Sequence, residues 1–187
     1  MAELVYTANI SVDGYTEDRD GLLEWSAPDE EVFSFITELE KSAGTYLYGR
    51  RMYEAMLYWE SATPEEEYVR EFAEMWRNAD KVVYSRSLES VTSPRTSLEH
   101  DFDPDAVRRL KAAAGQRITV GGANLAGQAL AAGLVDELRL VTLPVVLGGG
   151  KPWHPRDVRL SLRLLETRRF ASGAVYLRYR LGSDQGA

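Results

Sequence analysis

The stretch Ile118-Thr119-Val120-Gly121-Gly122-Ala123-Asn124-Leu125 carries the clearest chemical signal in the chain. A β-type run ends in two glycines that open an apolar, helix-forming segment. Glycine lets a ligand approach the backbone closely, and the unpaired N–H groups of a helix start attract phosphate. A tight strand-to-helix turn that holds nothing would use the same residues, and the third glycine of the common dinucleotide fingerprint is missing. In Tyr48-Gly49-Arg50-Arg51-Met52-Tyr53-Glu54 two arginines start a helix, where the helix dipole prefers acids. An anion between them would make sense of that choice, although two solvated arginines would read the same way. Tyr84-Ser85-Arg86 sets a hydroxyl beside a guanidinium, a pair suited to a phosphate monoester.

These residues act together only if the fold brings them to one place. Leu4 to Ser11 is a β-type run closed by the turn residues Asp13-Gly14, and residues 15 to 27 read as a loop. The spacing of Val32, Phe33, Ile36, Leu39 and Ala43 predicts a helix over 29–43, with Gly44 as its stop. Thr45 to Gly49 is a short strand leading into a helical turn or two, Arg50 to Leu57. Thr63-Pro64-Glu65-Glu66 has the pattern of a capping box for the next helix, whose apolar face runs through Tyr68, Phe72, Met75, Trp76 and Ala79. Lys81 to Ser85 is a strand, Asp103-Pro104 starts a helix to Ala114, and Arg117 to Val120 is a strand feeding the helix Ala123 to Ala132. Leu138 to Leu147 is a long apolar strand, and Arg159–Phe170 with Ala174–Leu181 forms a hairpin around Ser172-Gly173. Strands alternating with helices and an antiparallel ending predict an α/β three-layer sandwich: a mostly parallel central sheet with antiparallel C-terminal strands. One domain over residues 1–181 and a flexible tail over 182–187 complete the expectation. Such sheets bind ligands beyond the carboxyl ends of their strands. The three motifs all fall there, so they can share one extended anion. A dinucleotide fits, with its pyrophosphate at Gly121-Gly122 and an adenosine 2′-phosphate near Arg50 and Ser85-Arg86.

Composition narrows the partners. The 187 residues carry a net charge of −7, which repels nucleic acid, and the basic groups are short and scattered. No apolar run approaches the ~20 residues of a membrane span, and the opening Met1-Ala2-Glu3-Leu4 lacks the features of a signal peptide. There is no cysteine and there are only two histidines, so no metal site is expected and a reducing, cytoplasmic setting is.

The order of the motifs also resembles a known family. Gly49-Arg50-Arg51-Met52-Tyr53-Glu54, then Ser85-Arg86, then Val120-Gly121-Gly122 before a helix look like the NADPH elements of the dihydrofolate reductase-like family. Trp25-Ser26-Ala27-Pro28-Asp29-Glu30 is similar to its Trp-x-x-Pro segment, which precedes the substrate carboxylate. That register puts Glu30 in the carboxylate position, with Asp29 adjacent. Ser11-Val12-Asp13-Gly14 and Pro144-Val145-Val146-Leu147-Gly148-Gly149-Gly150-Lys151-Pro152 are closer to the reductase domain of the riboflavin-biosynthesis deaminase–reductase and its stand-alone relatives. The likeness spans roughly residues 4 to 181. It implies NADPH held by Gly49, Arg50, Arg51, Ser85, Arg86, Gly121, Gly122, Ala123, Asn124 and Leu125. The family's folate-tail arginine is Ala79 here, its tyrosine in the glycine-opened helix is Ala126, and the 58–78 stretch is longer. These departures argue against folate.

The expected activity is hydride transfer from NADPH to a small pterin- or pyrimidine-like heterocycle, with Glu30 or Asp29 as the acting carboxylate. Asp13, Trp25 and Tyr53 are the candidate substrate contacts, although Asp13 could equally seed the Asp-Gly turn. The alternatives are a ribosylaminopyrimidine phosphate reductase, for which Lys151 is the one nearby cation, and a nucleotide-binding protein without turnover. Gly148-Gly149-Gly150 could cradle a phosphate but suits a plain turn better, and His100 and His154 are placed outside the chemistry. The apolar pattern of the C-terminal strands predicts a homodimer.

Overall fold

The computed structural model describes residues 1–182. Its strands are β1 (Leu4–Ser11), β2 (Tyr15–Glu17), β3 (Ala43–Gly49), β4 (Asp80–Tyr84), β5 (Thr96–Glu99), β6 (Arg117–Gly121), β7 (Glu137–Leu143), β8 (Lys151–Pro152), β9 (Leu162–Arg169) and β10 (Val175–Leu181). Its helices are α1 (Glu30–Glu40), α2 (Arg50–Met56), α3 (Tyr58–Ser61), α4 (Glu67–Asn78), α5 (Pro104–Ala113) and α6 (Ala123–Ala131). Eight strands form one sheet in the order β5-β4-β3-β6-β1-β7-β10-β9, and β2 pairs with β8 in a separate ribbon. The pairs from β5 to β7 are parallel, whereas β10 runs antiparallel to both β7 and β9. This is the expected three-layer sandwich with an antiparallel C-terminal edge.

Period-two alternation sorts the side chains to two faces. Leu4, Tyr6 and Ile10 of β1 join Ile118 and Val120 under α5 and α6. On the other face Tyr46, Tyr48 and Val83 pack against Trp76 of α4, and Val141, Leu143 and Tyr176 against Val32 of α1. Each large apolar side chain buried this way contributes about 1.5–3 kcal/mol.

The α1 face also buries charge. Glu40 accepts from the hydroxyls of Thr7 and Thr119, each at 3.0 Å, which ties α1 to β1 and β6. Burial pushes its carboxyl above the ordinary range despite the Thr119 and Thr7 hydroxyls. Glu137, fully buried in β7, accepts from Arg139 Nε and Arg178 Nη2, both at 2.8 Å. Burial pushes this carboxyl up too, but the hydrogen bonds from Arg178 and Arg139 outweigh it and hold it below the ordinary range.

Several local expectations are corrected. Helix α1 ends at Glu40, and Gly44 is no stop: it lies in β3, where a Cβ would sit 2.5 Å from Gln116 Oε1. The capping box at Thr63–Glu66 does not form, since α4 begins at Glu67 without a side-chain cap. Arg77 of α4 instead donates to the carbonyls of Trp59 and Ala62, at 2.9 and 3.3 Å, and holds the connection extended. Strand β7 stops at Leu143 rather than Leu147, because Pro144 has no N–H for the ladder. Residues 15–27 hold β2 and a 3-10 turn at Glu24–Ser26 as well as loop, and β5 is an addition. Gly182 donates to the Ser161 carbonyl at 2.9 Å, and the rest of the tail expected at 182–187 lies outside the described residues. Among the described residues no helix is long and apolar enough to cross a membrane.

Removing one partner of a buried ion pair costs about 3–5 kcal/mol, because the other charge stays desolvated. Glu137→Ala should lower unfolding free energy by that amount at pH 7, measured by urea titration. A carboxyl whose folded pKa is depressed stabilises fully above its unfolded value of about 4.3 and loses that stabilisation as pH falls through the folded value. The gap between wild type and variant should therefore narrow on acidification below about pH 4.3; a constant gap would exclude the charge as its cause.

Candidate functional site

Parallel register places the three anion motifs side by side. Gly121 is the register partner of Tyr48, and Gly49 that of Tyr84, so β4, β3 and β6 release their chains at neighbouring points of one edge. Gly122 is the N-cap of α6 with φ 91°, a left-handed value that favours glycine, and no side chain caps the helix. The first N–H groups, from Ala123 to Leu125, therefore have no side-chain acceptor among the described residues and can donate to an anion.

The arginines meet this edge already paired. Arg50 donates to Glu54 Oε1 at 2.7 Å and to Ser87 Oγ at 2.9 Å, which links the exit of β3 to that of β4. Arg51 binds Glu17 at 3.0 Å, and Arg86 binds Asp101 at 2.6 Å. The Arg50–Glu54 and Arg86–Asp101 pairs are solvent-exposed and worth about 0–1 kcal/mol, so a phosphate can displace these two carboxylates, whereas Glu17 is largely buried. Ser85 is nearly buried, and its hydroxyl accepts the N–H groups of Ser87 and Leu88 at 3.2 and 3.0 Å. It shapes the turn, and Ser87 is the hydroxyl that meets Arg50. The sequence reading missed Ser87, which has no distinguishing pattern in a polar run. It also set aside His100, whose Nδ1 lies 3.3 Å from the Ser85 carbonyl.

A second cluster lies at the same sheet edge on the α1 face. A recess of about 320 Å³ is lined by Trp25, Asp29, Leu143, Pro144, Val145 and Ser172, with Ala27 at its rim. Asp29 is the N-cap of α1, its Oδ1 accepting from the Val32 N–H at 2.9 Å. The Val32 N–H and the Ser172 hydroxyl hold its carboxyl below the ordinary range, so it is ionised at neutral pH. Trp25 anchors its own loop by donating to the Leu22 carbonyl at 3.2 Å, and still contributes a wall. Ser172 was read only as a turn residue. Glu31 brings it in, accepting from Arg168 Nη2 and the Ala171 N–H at 3.3 and 3.1 Å.

Three expected site residues are placed differently. Glu30 is exposed on the first turn of α1 and does not line the recess; the adjacent Asp29 does. Tyr53 is buried, since its helical position turns it toward the sheet, and its hydroxyl accepts the N–H groups of Thr92 and Ser93 at 2.9 and 3.2 Å. It pins the β4–β5 connection. Both oxygens of Asp13 are engaged, accepting from Leu147 and Gly148 N–H groups at 3.1 and 2.7 Å. They tie the exit of β1 to that of β7. The triple glycine serves close approach, because a Cβ on Gly150 would lie 1.9 Å from the Glu17 carbonyl oxygen. Lys151 pairs with Glu17 at 3.4 Å and borders α6, on the sheet face opposite Asp29.

Between α1 and α4 stands an aromatic wall. Phe33 lies 6.1 Å from Trp59, 5.7 Å from Tyr68 and 5.4 Å from Phe72 between ring centroids. The long 58–78 stretch thus fills the space beside α1, and Ala79 is buried behind it.

Strand order, the antiparallel C-terminal hairpin and a glycine-opened helix at the carboxyl edge make this a dihydrofolate reductase-like α/β protein. It superposes on a putative riboflavin biosynthesis protein of Shewanella sp. PV-4 with a TM-score of 0.76, at 20% identity over 98% of this chain and 100% of that one. The dihydrofolate reductase of Enterococcus faecalis gives a TM-score of 0.65, at 15% identity over 97% of each chain. The chain belongs to the RibD C-terminal domain family, whose sequence model matches residues 2–176. An uncharacterized Bacillus subtilis protein, YyaP, is 33% identical over 178 residues, covering 91% of this chain and 90% of its own.

The two glycines differ in what they forbid. A Cβ on Gly121 would lie 2.8 Å from the buried Tyr48 ring, whereas one on Gly122 stays 3.4 Å from Met52 Cβ. Gly121→Val should therefore lower stability by about 1–3 kcal/mol through overpacking. Adding Tyr48→Val should restore part of that loss in thermal unfolding; no recovery would mean that the ring is not the obstacle.

Proposed function

We propose that this protein is an NADPH-dependent reductase of a small, uncharged nitrogen heterocycle of pterin or pyrimidine type. The observation that supports it most directly is the register-matched edge. There the uncapped start of α6, the Arg50–Ser87 pair and the Asp29 recess share the carboxyl ends of neighbouring strands. In this reading the α6 N–H groups hold the pyrophosphate, while Arg50, Ser87 and Arg86 hold the adenosine 2′-phosphate. NADPH supplies the hydride. Asp29, being ionised, accepts hydrogen bonds from the ring N–H and amino groups of the substrate and orients it. It has no proton to donate, so the proton that completes the reduction comes from water. Trp25 covers the heterocycle and excludes solvent from one side.

The recess favours this substrate class over two others. At about 320 Å³ it lies at the small end of ligand pockets and suits one heterocycle. Among the described residues no cation lines it, which disfavours a ribose phosphate, and Lys151 is across the sheet. The Phe33–Trp59–Phe72 wall and buried Ala79 leave the glutamate tail of folate without a path or a partner.

Arginine–phosphate bonds are worth about 1.5–3 kcal/mol. Arg50→Ala should therefore weaken NADPH roughly ten- to a hundredfold and leave NADH nearly unchanged, read by calorimetric titration. Equal losses for both cofactors would remove Arg50 from the 2′-phosphate.

We also propose a homodimer joined through β9. All eight of its residues are exposed, including Leu162, Leu164 and Leu165, and a bare apolar edge strand tends to be covered. Light scattering at micromolar concentration should give twice the 21.0 kDa chain mass, and Leu164→Glu should halve it. A wild-type mass of one chain would end the proposal.

A further inference from the structure

A second recess, of about 430 Å³, lies on the outer side of α6, where residues 151–158 cross the helix. Only its end at Ala123 and Asn124 touches the start of α6 described above. Its floor is apolar and formed by small or rigid residues: Ala123, Gly127 and Ala131 recur every four positions of α6 and meet Pro155 and Val158. Gly127 allows the crossing to be close, for a Cβ there would already touch Pro155 Cβ at 3.5 Å. The rim is polar and one-signed. Lys151, His154 and Arg156 line it, and among the described residues no aspartate or glutamate does, in a chain whose net charge is −7.

The three rim groups are available to different degrees. Arg156 makes no ion pair and no side-chain hydrogen bond with any described residue, whereas most arginines of this chain hold a carboxylate. Lys151 shares its charge with Glu17 at 3.4 Å, a long contact that leaves it other protons to donate. His154 stacks edge-to-face on Trp153 with centroids 5.0 Å apart, and its Nδ1 lies 3.0 Å from the Pro155 carbonyl. The carbonyl takes the Nδ1 proton, so Nε2 of the neutral ring is an acceptor and His154 serves as rim surface rather than as an anion donor. Asn124 and Gln128, on the facing side of α6, add amide donors. An apolar floor beneath one unshared guanidinium and two amides matches a ligand with a flat hydrocarbon face and one anionic group.

We propose that this recess binds a small ring-bearing acid, an aryl phosphate or aryl carboxylate, with the ring on the α6 floor and the anion at Arg156. The recess shares Ala123 and Asn124 with the start of α6 but holds its anion at Arg156, away from the Arg50–Ser87 cluster, so variants at Arg156 and Arg50 tell this reading apart from the cofactor reading.

The test uses the full chain without cofactor and three probes: phenyl phosphate, benzoate and inorganic phosphate, each followed by NMR chemical shifts or calorimetry. Saturable binding of an aryl acid at least about fivefold tighter than inorganic phosphate is expected, since only the aryl acids bury apolar surface on the floor. Whether phenyl phosphate or benzoate binds more tightly identifies the anion. Arg156→Ala should weaken the preferred probe roughly tenfold and Arg156→Lys less, while Arg50→Ala leaves it unchanged. Because Arg156 is exposed and unpaired, both Arg156 variants should keep the wild-type melting temperature. Absence of saturation, equal affinity for phenyl phosphate and inorganic phosphate, or a loss that follows Arg50 rather than Arg156 would each overturn the proposal.

Discussion

Parallel pairing from β5 through β7 is the constraint on which the rest of this protein depends. Parallel strands cannot be joined by tight turns, so each must leave the sheet at one edge and return through a crossover. In this chain most of the crossovers are helices, and every helix start that matters chemically lies at that edge. Gly49 before α2, Gly122 before α6 and Asp29 before α1 are N-caps on neighbouring elements. A chain that paired these strands antiparallel would scatter the same residues to opposite ends.

That dependence explains what was legible in the sequence. Strand-then-glycine-then-helix at 117–131 and the Asp103-Pro104 start are local signals with a single good solution, and the structure forms them as the residues demand. The parallel edge then predicts which motifs share a surface, and Arg50 does reach Ser87. Side-chain direction was less readable. Whether residue 29 or 30 faces a recess depends on which of the two caps α1, and two adjacent acids before the same helix leave that choice open in the sequence. Tyr53 looked like a ligand contact because it sits in a ligand motif, but its place on α2 belongs to the core. Strand β5 had no signal at all: four half-exposed residues at an edge need neither apolar alternation nor a turn marker.

Charge is distributed by the same geometry. Deep in the sheet, Glu137 is held by two arginines and Glu40 by two threonines, and both join strands to strands or to α1 at the end away from the ligand edge. At the ligand edge the ion pairs are exposed and weak. Arg50 and Arg86 each hold a carboxylate that water already solvates, so exchanging it for a phosphate costs little, whereas Arg51 holds the largely buried Glu17. Permanent pairs are buried where the fold needs them, and exchangeable pairs are left where an anion would arrive.

Asp29 shows how a folding residue can also serve a site. An N-cap aspartate stabilises its helix by accepting one backbone N–H, typically worth about 1 kcal/mol. Here Oδ1 does this for Val32, and the second oxygen is left beside Ser172 and the recess. The cap and the hydroxyl both favour the charged form, so the group that starts α1 is also a fixed anion at the mouth of a small, cation-free cavity. On the reading proposed here, that combination selects a substrate by its N–H donors rather than by any charge it carries. Glu30 cannot substitute: without a cap bond its carboxylate is neither fixed in position nor directed at the recess. The local demand of helix initiation therefore determines which of two adjacent acids lines the recess.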